Sequence, residues 1–264
     1  RRGAPWRVAQ RTHEEEKAMR RSFAVVVLIA FGLAGSNARA VNALVLAGNV
    51  SQAEFPALSD FNKIDRFTFD WDTTKDRLLP DLAGVDVLWI GQGEICENAY
   101  FFEEPGEQAI LDFVERGGIC ISVGQDTDDN RPCEIGWFPG DMTGVERGGV
   151  EAFAVTGEPE VGDMFTVPNE VTAAHHDDTW TDMGDGFVHL STINNGADVS
   201  VSLFDHGAGT YIVTGLENEG AAHVTTNLPL MENIMLYAAR LIETQDVEAR
   251  GKLTVSWGTL KTDR

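Results

Sequence analysis

Short apolar runs that end in glycine recur along the first half of the chain. Three of them, at residues 43–48, 85–91 and 119–124, have the length and continuity of strands buried on both faces of a parallel sheet. Residues 64–71 predict a fourth strand, in which phenylalanines alternate with polar positions. The first half of the chain therefore carries four predicted strands.

A helical pattern lies between the predicted strands at residues 85–91 and 119–124. Residues 103–116 place apolar side chains at i, i+4 spacing, and Gly117-Gly118 predicts the end of that helix. Strands that alternate with helix-length spacers are typical of a parallel sheet covered by helices on both faces. The pattern thus predicts an α/β fold.

The second half of the chain has a different pattern. Residues 126–186 are rich in Gly, Asp, Pro and Thr, and predict a long irregular insertion with short strands. Residues 187–193 and 199–204 predict a hairpin that turns near Asn195-Gly196, and residues 210–214 predict one more strand. We therefore expect a β-rich insertion in this half.

The C-terminal part predicts a helix and a tail. An apolar stripe at helical spacing begins near Pro229, a residue that favours the first turn of a helix. After the polar stretch 243–251, residues 252–261 alternate in the manner of a strand around Trp257. We expect residues 246–264 to form a tail outside the domain.

Several segments together resemble the class I glutamine amidotransferase-like superfamily, particularly its trehalose-utilisation-protein-like and other non-amidotransferase branches. These segments are ALVLAG, VDVLWIGQGE, EQAILDFVERGGICISVG, GAGTYIVTGLENEG and LPLMENIMLYAARLI, and they lie within residues 43–242. The resemblance implies a flavodoxin-like three-layer sandwich with a mostly parallel central sheet. It places the domain at residues 41–245.

The catalytic residues of a true amidotransferase are not found in the sequence. Gly118-Ile119-Cys120 resembles the start of the nucleophile elbow, but Ser122 stands where the second glycine belongs, and no histidine is followed two positions later by Glu. A nucleophile needs an exposed, strained turn, whereas a cysteine within a strand behaves as a small buried hydrophobe. We therefore expect Cys120 to be buried and the domain to lack amidotransferase chemistry.

A secretory signal peptide is predicted at residues 19–40. Met19 is followed by two arginines, then by an apolar run of about a dozen residues, which is shorter than the roughly 20 that span a membrane, and then by small residues at Ala38 and Ala40. We expect cleavage between Ala40 and Val41, and a secreted or periplasmic product with no membrane span. Residues 1–18 are expected to be upstream or disordered sequence.

Acidic residues dominate the predicted mature protein. Residues 41–264 contain 12 Lys and Arg against 39 Asp and Glu, a formal net charge of −27. Such a charge repels nucleic acid and anionic lipid. It is compatible with cationic partners, calcium or a salty habitat, and a solvated acidic surface is the alternative. The partner we expect is a small ligand, a carbohydrate or an envelope protein.

The three cysteines predict one disulfide and one free thiol. Cys96 and Cys133 both follow predicted strands in loops, and an exported protein permits a bridge between them. Cys120 is then the predicted free thiol.

An acidic loop after residue 124 offers candidate metal ligands. Asp126, Asp128 and Asn130 have the alternate spacing of a calcium loop's opening. Arg131 and Trp137 stand where an EF-hand needs glycine and a bidentate Glu, so the loop is not an EF-hand. A solvated acidic loop is the alternative.

Histidines supply the remaining candidates. In an extended segment, His175 and Asp177 share one face, so they offer two metal ligands, with His206 or Glu94 as possible third donors. Surface or turn histidines are the alternative. We therefore predict an exported, non-catalytic module that binds a ligand or a protein; the rival hypothesis is a secreted hydrolase or carbohydrate-modifying enzyme that uses Glu94, Asp126, His175 and His206, with or without a divalent metal.

Overall fold

Five parallel strands form one half of the central sheet in the computed structural model, which describes residues 40–61, 67–72, 79–93, 104–125 and 137–262. In spatial order they run β2-β1-β3-β4-β10, which is the 2-1-3-4-5 order of flavodoxin-like folds when parallel strands alone are counted. The flavodoxin-like α/β prediction is confirmed. The five strands are β1 Val41–Leu46, β2 Phe67–Asp72, β3 Val87–Ile90, β4 Ile119–Val123 and β10 Gly209–Thr214.

Helices cover both faces of this half. The described helices are α1 Glu54–Ser59, α2 Glu104–Glu115 and α3 Gly220–Thr262. Side chains alternate along β3, so that Trp89 packs in the core under α1 and α3 whereas Leu88 packs in the core under α2. The apolar runs of the sequence are continuous because both faces of these strands are buried.

The end of α2 follows its prediction closely. The Gly118 N–H donates to the Phe113 carbonyl at 3.0 Å and the Gly117 N–H to the Val114 carbonyl at 2.9 Å, which is the Schellman pattern. Gly117 has φ +107°, a conformation that L side chains rarely adopt. The glycine pair therefore ends the helix and leads directly into β4.

Antiparallel strands form the other half of the sheet. β9 lies against β10, β7 lies between β9 and β5, and β8 pairs with β9 and β6. The expectation of short strands within an irregular insertion was wrong, since β5 and β7 each have eleven residues. The strands of this half are β5 Met142–Ala152, β6 Ala154–Val155, β7 Ala173–Met183, β8 Phe187–Ile193 and β9 Asp198–His206.

The hairpin between β8 and β9 is confirmed. It turns through Asn194, Asn195 and Gly196, whose φ angles of 48°, 55° and 88° all lie in the left-handed region. Asn and Gly tolerate that region better than other residues. The turn chemistry was therefore readable from the sequence.

The last helix begins earlier and ends later than the sequence predicted. α3 starts at Gly220, so Pro229 lies inside it, and the backbone stays helical through Thr262 instead of forming a strand-like tail. Five of the nine residues at 243–251 are Glu, Gln, Ala or Arg, which have high helix propensity, so the local sequence permits the helix to continue. No helix within the described residues is long and apolar enough to cross a membrane.

Candidate functional site

Polar residues gather where the parallel strands end. Gln92 follows β3, Gln125 follows β4 and Glu217 follows β10, all at the carboxyl edge of the parallel half. Open α/β sheets bind their ligands outside this edge. The carboxyl edge of the parallel strands is therefore where a ligand site is expected.

Two histidines converge on one carboxylate at this edge. His175 Nδ1 lies 2.6 Å from Glu217 Oε2, and His223 Nδ1 lies 2.8 Å from Glu217 Oε1. The two imidazole rings stack with centroids 4.1 Å apart and planes 24° apart. The three side chains are 18%, 13% and 31% exposed in the order His175, Glu217, His223. We call them the His175–Glu217–His223 cluster.

Three different elements supply the cluster. His175 is on β7, Glu217 lies three residues beyond β10, and His223 is the fourth residue of α3. The Glu217 N–H donates to the His175 carbonyl at 2.9 Å, so β7 runs alongside the segment that leaves β10. The cluster therefore exists only in the folded sheet.

Alternation along β7 decides which histidine faces the cluster. His175 and Asp177 share one face, as the sequence predicted, and His176 points the other way, where it is fully buried. His176 Nε2 lies 2.7 Å from Ser200 Oγ, and burial lowers the His176 pKa to about 4. His176 is thus a neutral core residue.

A buried asparagine links the three elements of the cluster. The Asn227 amide nitrogen lies 3.0 Å from the His175 carbonyl and 2.7 Å from the Glu217 carbonyl, and its oxygen accepts from the His175 N–H at 2.7 Å. Asn227 is itself on α3, one turn after His223. The Asn227 side chain, which is not part of the cluster, therefore holds the backbone of His175 and Glu217 in place.

Gln92 joins the end of β3 to the same region. Its side-chain amide donates to Asp177 Oδ2 at 2.7 Å, and its amide oxygen accepts the Asn218 N–H. The Gln92 N–H donates to Glu54 Oε1 at 3.1 Å, and Glu54 is fully buried and also accepts the Trp89 indole N–H. A connected polar network therefore runs from α1 to β7 behind the cluster.

The residues predicted from the sequence divide into three groups. His175 lies in the cluster. Asp177 lies beside the cluster and accepts a hydrogen bond from the Gln92 side chain. His206 does not belong, because it pairs with Gly209 at the amino end of β10, whereas Glu217 follows the carboxyl end. The others lie outside the described residues: Glu94, Cys96, Asp126, Asp128, Asn130 and Cys133.

The sequence interpretation missed Glu217, His223 and Asn227. The available signal was position, since Glu217 directly follows the last parallel strand and His223 comes six residues later. The early start of α3 was not recognised, so neither His223 nor Asn227 was placed on a helix. Without that helix the sequence offered no reason to pair His223 with Glu217.

Cys120 is a buried free thiol, as predicted. It lies in the middle of β4, and burial raises the pKa of its thiol above the ordinary value. A thiol that resists ionisation is a poor nucleophile. The cysteine of this strand therefore packs in the core.

A separate groove lies on the opposite face of the sheet from α3. It has a volume of about 450 Å³ and runs between α2 and residues 79–83, where Asp112 and Arg116 line it. The groove does not include any residue of the His175–Glu217–His223 cluster. The two features are distinct candidates for ligand binding.

Comparison with known proteins gives the class of fold. No protein-family model matches the sequence, and no curated protein matches it. Among solved structures, a putative ThuA-like protein from Bacteroides uniformis is 14% identical with a TM-score of 0.54, covering 77% of this chain and 93% of its own. A cytoplasmic protein from Salmonella typhimurium LT2 is 13% identical with a TM-score of 0.52, covering 77% and 99%. These similarities show the fold alone.

A third similar structure, a glutamine amidotransferase from Thermotoga maritima, is 14% identical with a TM-score of 0.48, covering 80% of this chain and 93% of its own. The fold shared with the ThuA-like protein is the flavodoxin-like fold that the sequence predicted. Membership of the amidotransferase-like superfamily, and of any branch of it, stays a prediction.

Proposed function

We propose that the protein binds a small polar ligand at the carboxyl edge of its parallel strands, with the His175–Glu217–His223 cluster as the contact point. One observation carries this proposal. Three titratable side chains from three elements converge while each remains partly exposed. Ligand pockets combine a formed scaffold with a few convergent polar groups of this kind.

The surroundings of the cluster support a role in binding. The Gln92 side chain bonds Asp177 on β7 and the Asn227 side chain bonds the Glu217 carbonyl, so hydrogen bonds fix the segments that carry His175 and Glu217. A site whose neighbours are already fixed loses less entropy when it binds. A solvated surface patch would not need such support.

Hydrolysis is the second candidate function, and the contacts of Glu217 favour it. A carboxylate that contacts the Nδ1 atom of an imidazole orients the ring, and histidine is the commonest general acid or base near neutral pH. Glu217 holds two such rings. The cluster therefore has the residue types of an acid–base centre, supplied by residues other than the predicted Glu94, Asp126 and His206.

We also propose that the domain works outside the cytoplasm, after removal of residues 19–40. The charged start, short apolar run and small residues at Ala38 and Ala40 support this proposal. The strongly acidic mature chain fits partners other than nucleic acid. N-terminal sequencing of the exported protein tests it, with Val41 as the expected first residue.

A binding screen tests the proposed site. We expect at least one member of a defined library of neutral sugars, polyols and dicarboxylic acids to raise the melting temperature of the purified protein. His223→Ala and Glu217→Gln should abolish that shift, since both remove contact groups and are partly exposed.

His206→Ala is the matched control, because His206 lies at the other end of β10. It should leave the ligand shift unchanged. A library without hits, or a hit that survives both cluster variants and is lost in Arg116→Ala, would contradict the proposal and place binding in the groove beside α2.

A further inference from the structure

We propose that the His175–Glu217–His223 cluster is a binding site for a divalent transition-metal ion of the zinc class. The ligands are Nδ1 of both histidines and a carboxylate oxygen of Glu217. This inference deepens the proposed function, because it names a cofactor for the same site. Metal binding nevertheless has its own measurement and can succeed or fail independently of ligand binding.

The spacing of the donor atoms fits a metal ion. All three lie within 4.8 Å of one another. Zinc bonds of about 2.0–2.1 Å with tetrahedral angles place two ligand atoms roughly 3.3 Å apart. His175 Nδ1 lies 2.6 Å from Glu217 Oε2 and His223 Nδ1 lies 2.8 Å from Glu217 Oε1, so each of these nitrogen–oxygen pairs needs to separate by less than about 1 Å. Side-chain rotations supply a movement of that size.

The nitrogen atoms also lack other partners. Neither His175 Nδ1 nor His223 Nδ1 makes a hydrogen bond of acceptable geometry, although both are enclosed and both lie within 2.8 Å of the same carboxylate. Buried polar atoms normally find a partner. A cation between them would satisfy both nitrogen lone pairs and the carboxylate charge at once.

The types of donor select the metal. Two imidazoles and one carboxylate suit zinc and neighbouring transition metals, whereas calcium prefers six to eight oxygen ligands. The candidate ligands Asp126, Asp128 and Asn130 would have formed a different kind of site, built from oxygen alone. Only His175 is common to the predicted ligands and to this cluster.

The scaffold has the rigidity that a metal site requires. His175 is on a strand and His223 on a helix, and Asn227 bonds the backbone on either side of the cluster. Sites on regular elements hold their geometry better than sites on loops. Three protein ligands also leave one tetrahedral position, which the partial exposure of His223 makes reachable for water or a ligand.

Calorimetric titration tests the inference. The purified protein is first treated with EDTA and dialysed, and then titrated with zinc chloride; we expect one saturable site per chain. His223→Ala and Glu217→Gln should each weaken binding at least about 100-fold, since loss of an outer-shell partner alone costs about 10- to 100-fold. His206→Ala should bind zinc as the unaltered protein does.

Cobalt substitution gives a measurement that does not depend on variants. Cobalt(II) in a tetrahedral site with two imidazoles and a carboxylate should give intense visible absorption, and stoichiometric zinc should displace it. No saturable zinc binding, a weak octahedral cobalt spectrum, or zinc affinity unchanged in both cluster variants would overturn the inference.

The ligand screen run with and without EDTA separates the two proposals. A ligand shift that persists in EDTA and still requires Glu217, together with no zinc binding, would overturn the metal site and leave the proposed function standing. Zinc binding that requires His223, together with no ligand found in the screen, would support the metal site and overturn the proposed function.

Discussion

Two adjacent histidines show how much a single strand position decides. His175 faces Glu217 and stays partly exposed, whereas His176 is fully buried and neutral. The two-residue period of a strand was enough to predict that His175 and Asp177 share a face. It gave no information on Glu217, because that contact depends on β7 pairing with a segment about 40 residues away in the sequence.

Buried His176 should make the folded protein sensitive to acid. Its pKa falls from 6.5 to about 4 on folding, because burial disfavours the charged ring. The unfolded chain therefore takes up a proton below pH 6.5 that the folded protein resists. The contribution of His176 to stability should be complete above pH 6.5 and fall by up to about 3 kcal/mol as the pH approaches 4.

Urea denaturation between pH 4 and pH 7, with EDTA present, measures this contribution. The difference in free energy of unfolding between the unaltered protein and His176→Gln should change with pH, since the variant lacks the titrating ring. His206→Gln provides the control. Parallel pH profiles for the unaltered protein and His176→Gln would show that the ring carries no such linkage.

Elements with a strong local pattern were predicted well. The buried parallel strands, α2 with its glycine pair, and the Asn-Gly hairpin each carry their signal within a few residues. β5 carries little, because it is an edge strand of intermediate and exposed positions with glycines at 144, 148 and 149. Its pairing with β7 is stabilised by tertiary contacts rather than by propensity, so the sequence alone could not reveal it.

Only glycine should fit at position 209, the first residue of β10. A Cβ added at Gly209 would overlap the carbonyl oxygens of Gly118 and Val114, both of which are backbone atoms that cannot turn away. We expect Gly209→Ala to lower the free energy of unfolding by about 2 kcal/mol or more, as overpacking of a core does.

Gly148→Ala is the matched control on an edge strand. A Cβ at Gly148 meets no atom within 4 Å, so this variant should be neutral or stabilising by up to about 1 kcal/mol. Urea denaturation of both variants gives the comparison. Equal stability of Gly209→Ala and the unaltered protein would contradict the close packing of β10 against α2 and β4.

At the scale of the whole molecule, the sheet joins a parallel half to an antiparallel half. The layer arrangement and the mostly parallel sheet of the first half followed from the sequence pattern and the resemblance, because strands that alternate with helices allow few arrangements. The candidate site was only partly predictable. It forms where β7 from the antiparallel half meets the end of β10 from the parallel half.

The predicted signal peptide at residues 19–40 gives a further test. We expect the exported protein to begin at Val41, and we expect Ala40→Arg to block cleavage, since the peptidase requires small residues at this position and at Ala38. Asn37→Ser is the control and should be processed normally. Mass spectrometry of secreted material gives the result, and a mature chain that retains residues 19–40 would refute the prediction.

The register of β7 limits how the length of this chain can change. Insertion or deletion of one residue shortly before His175 would turn the strand by one position and present a different side chain to Glu217. Residues 156–172, which precede β7, can change in length without shifting the register of that strand, as long as their own packing is kept. Among related sequences, length differences should therefore fall in that connection, while the spacing from His175 to Asp177 stays constant.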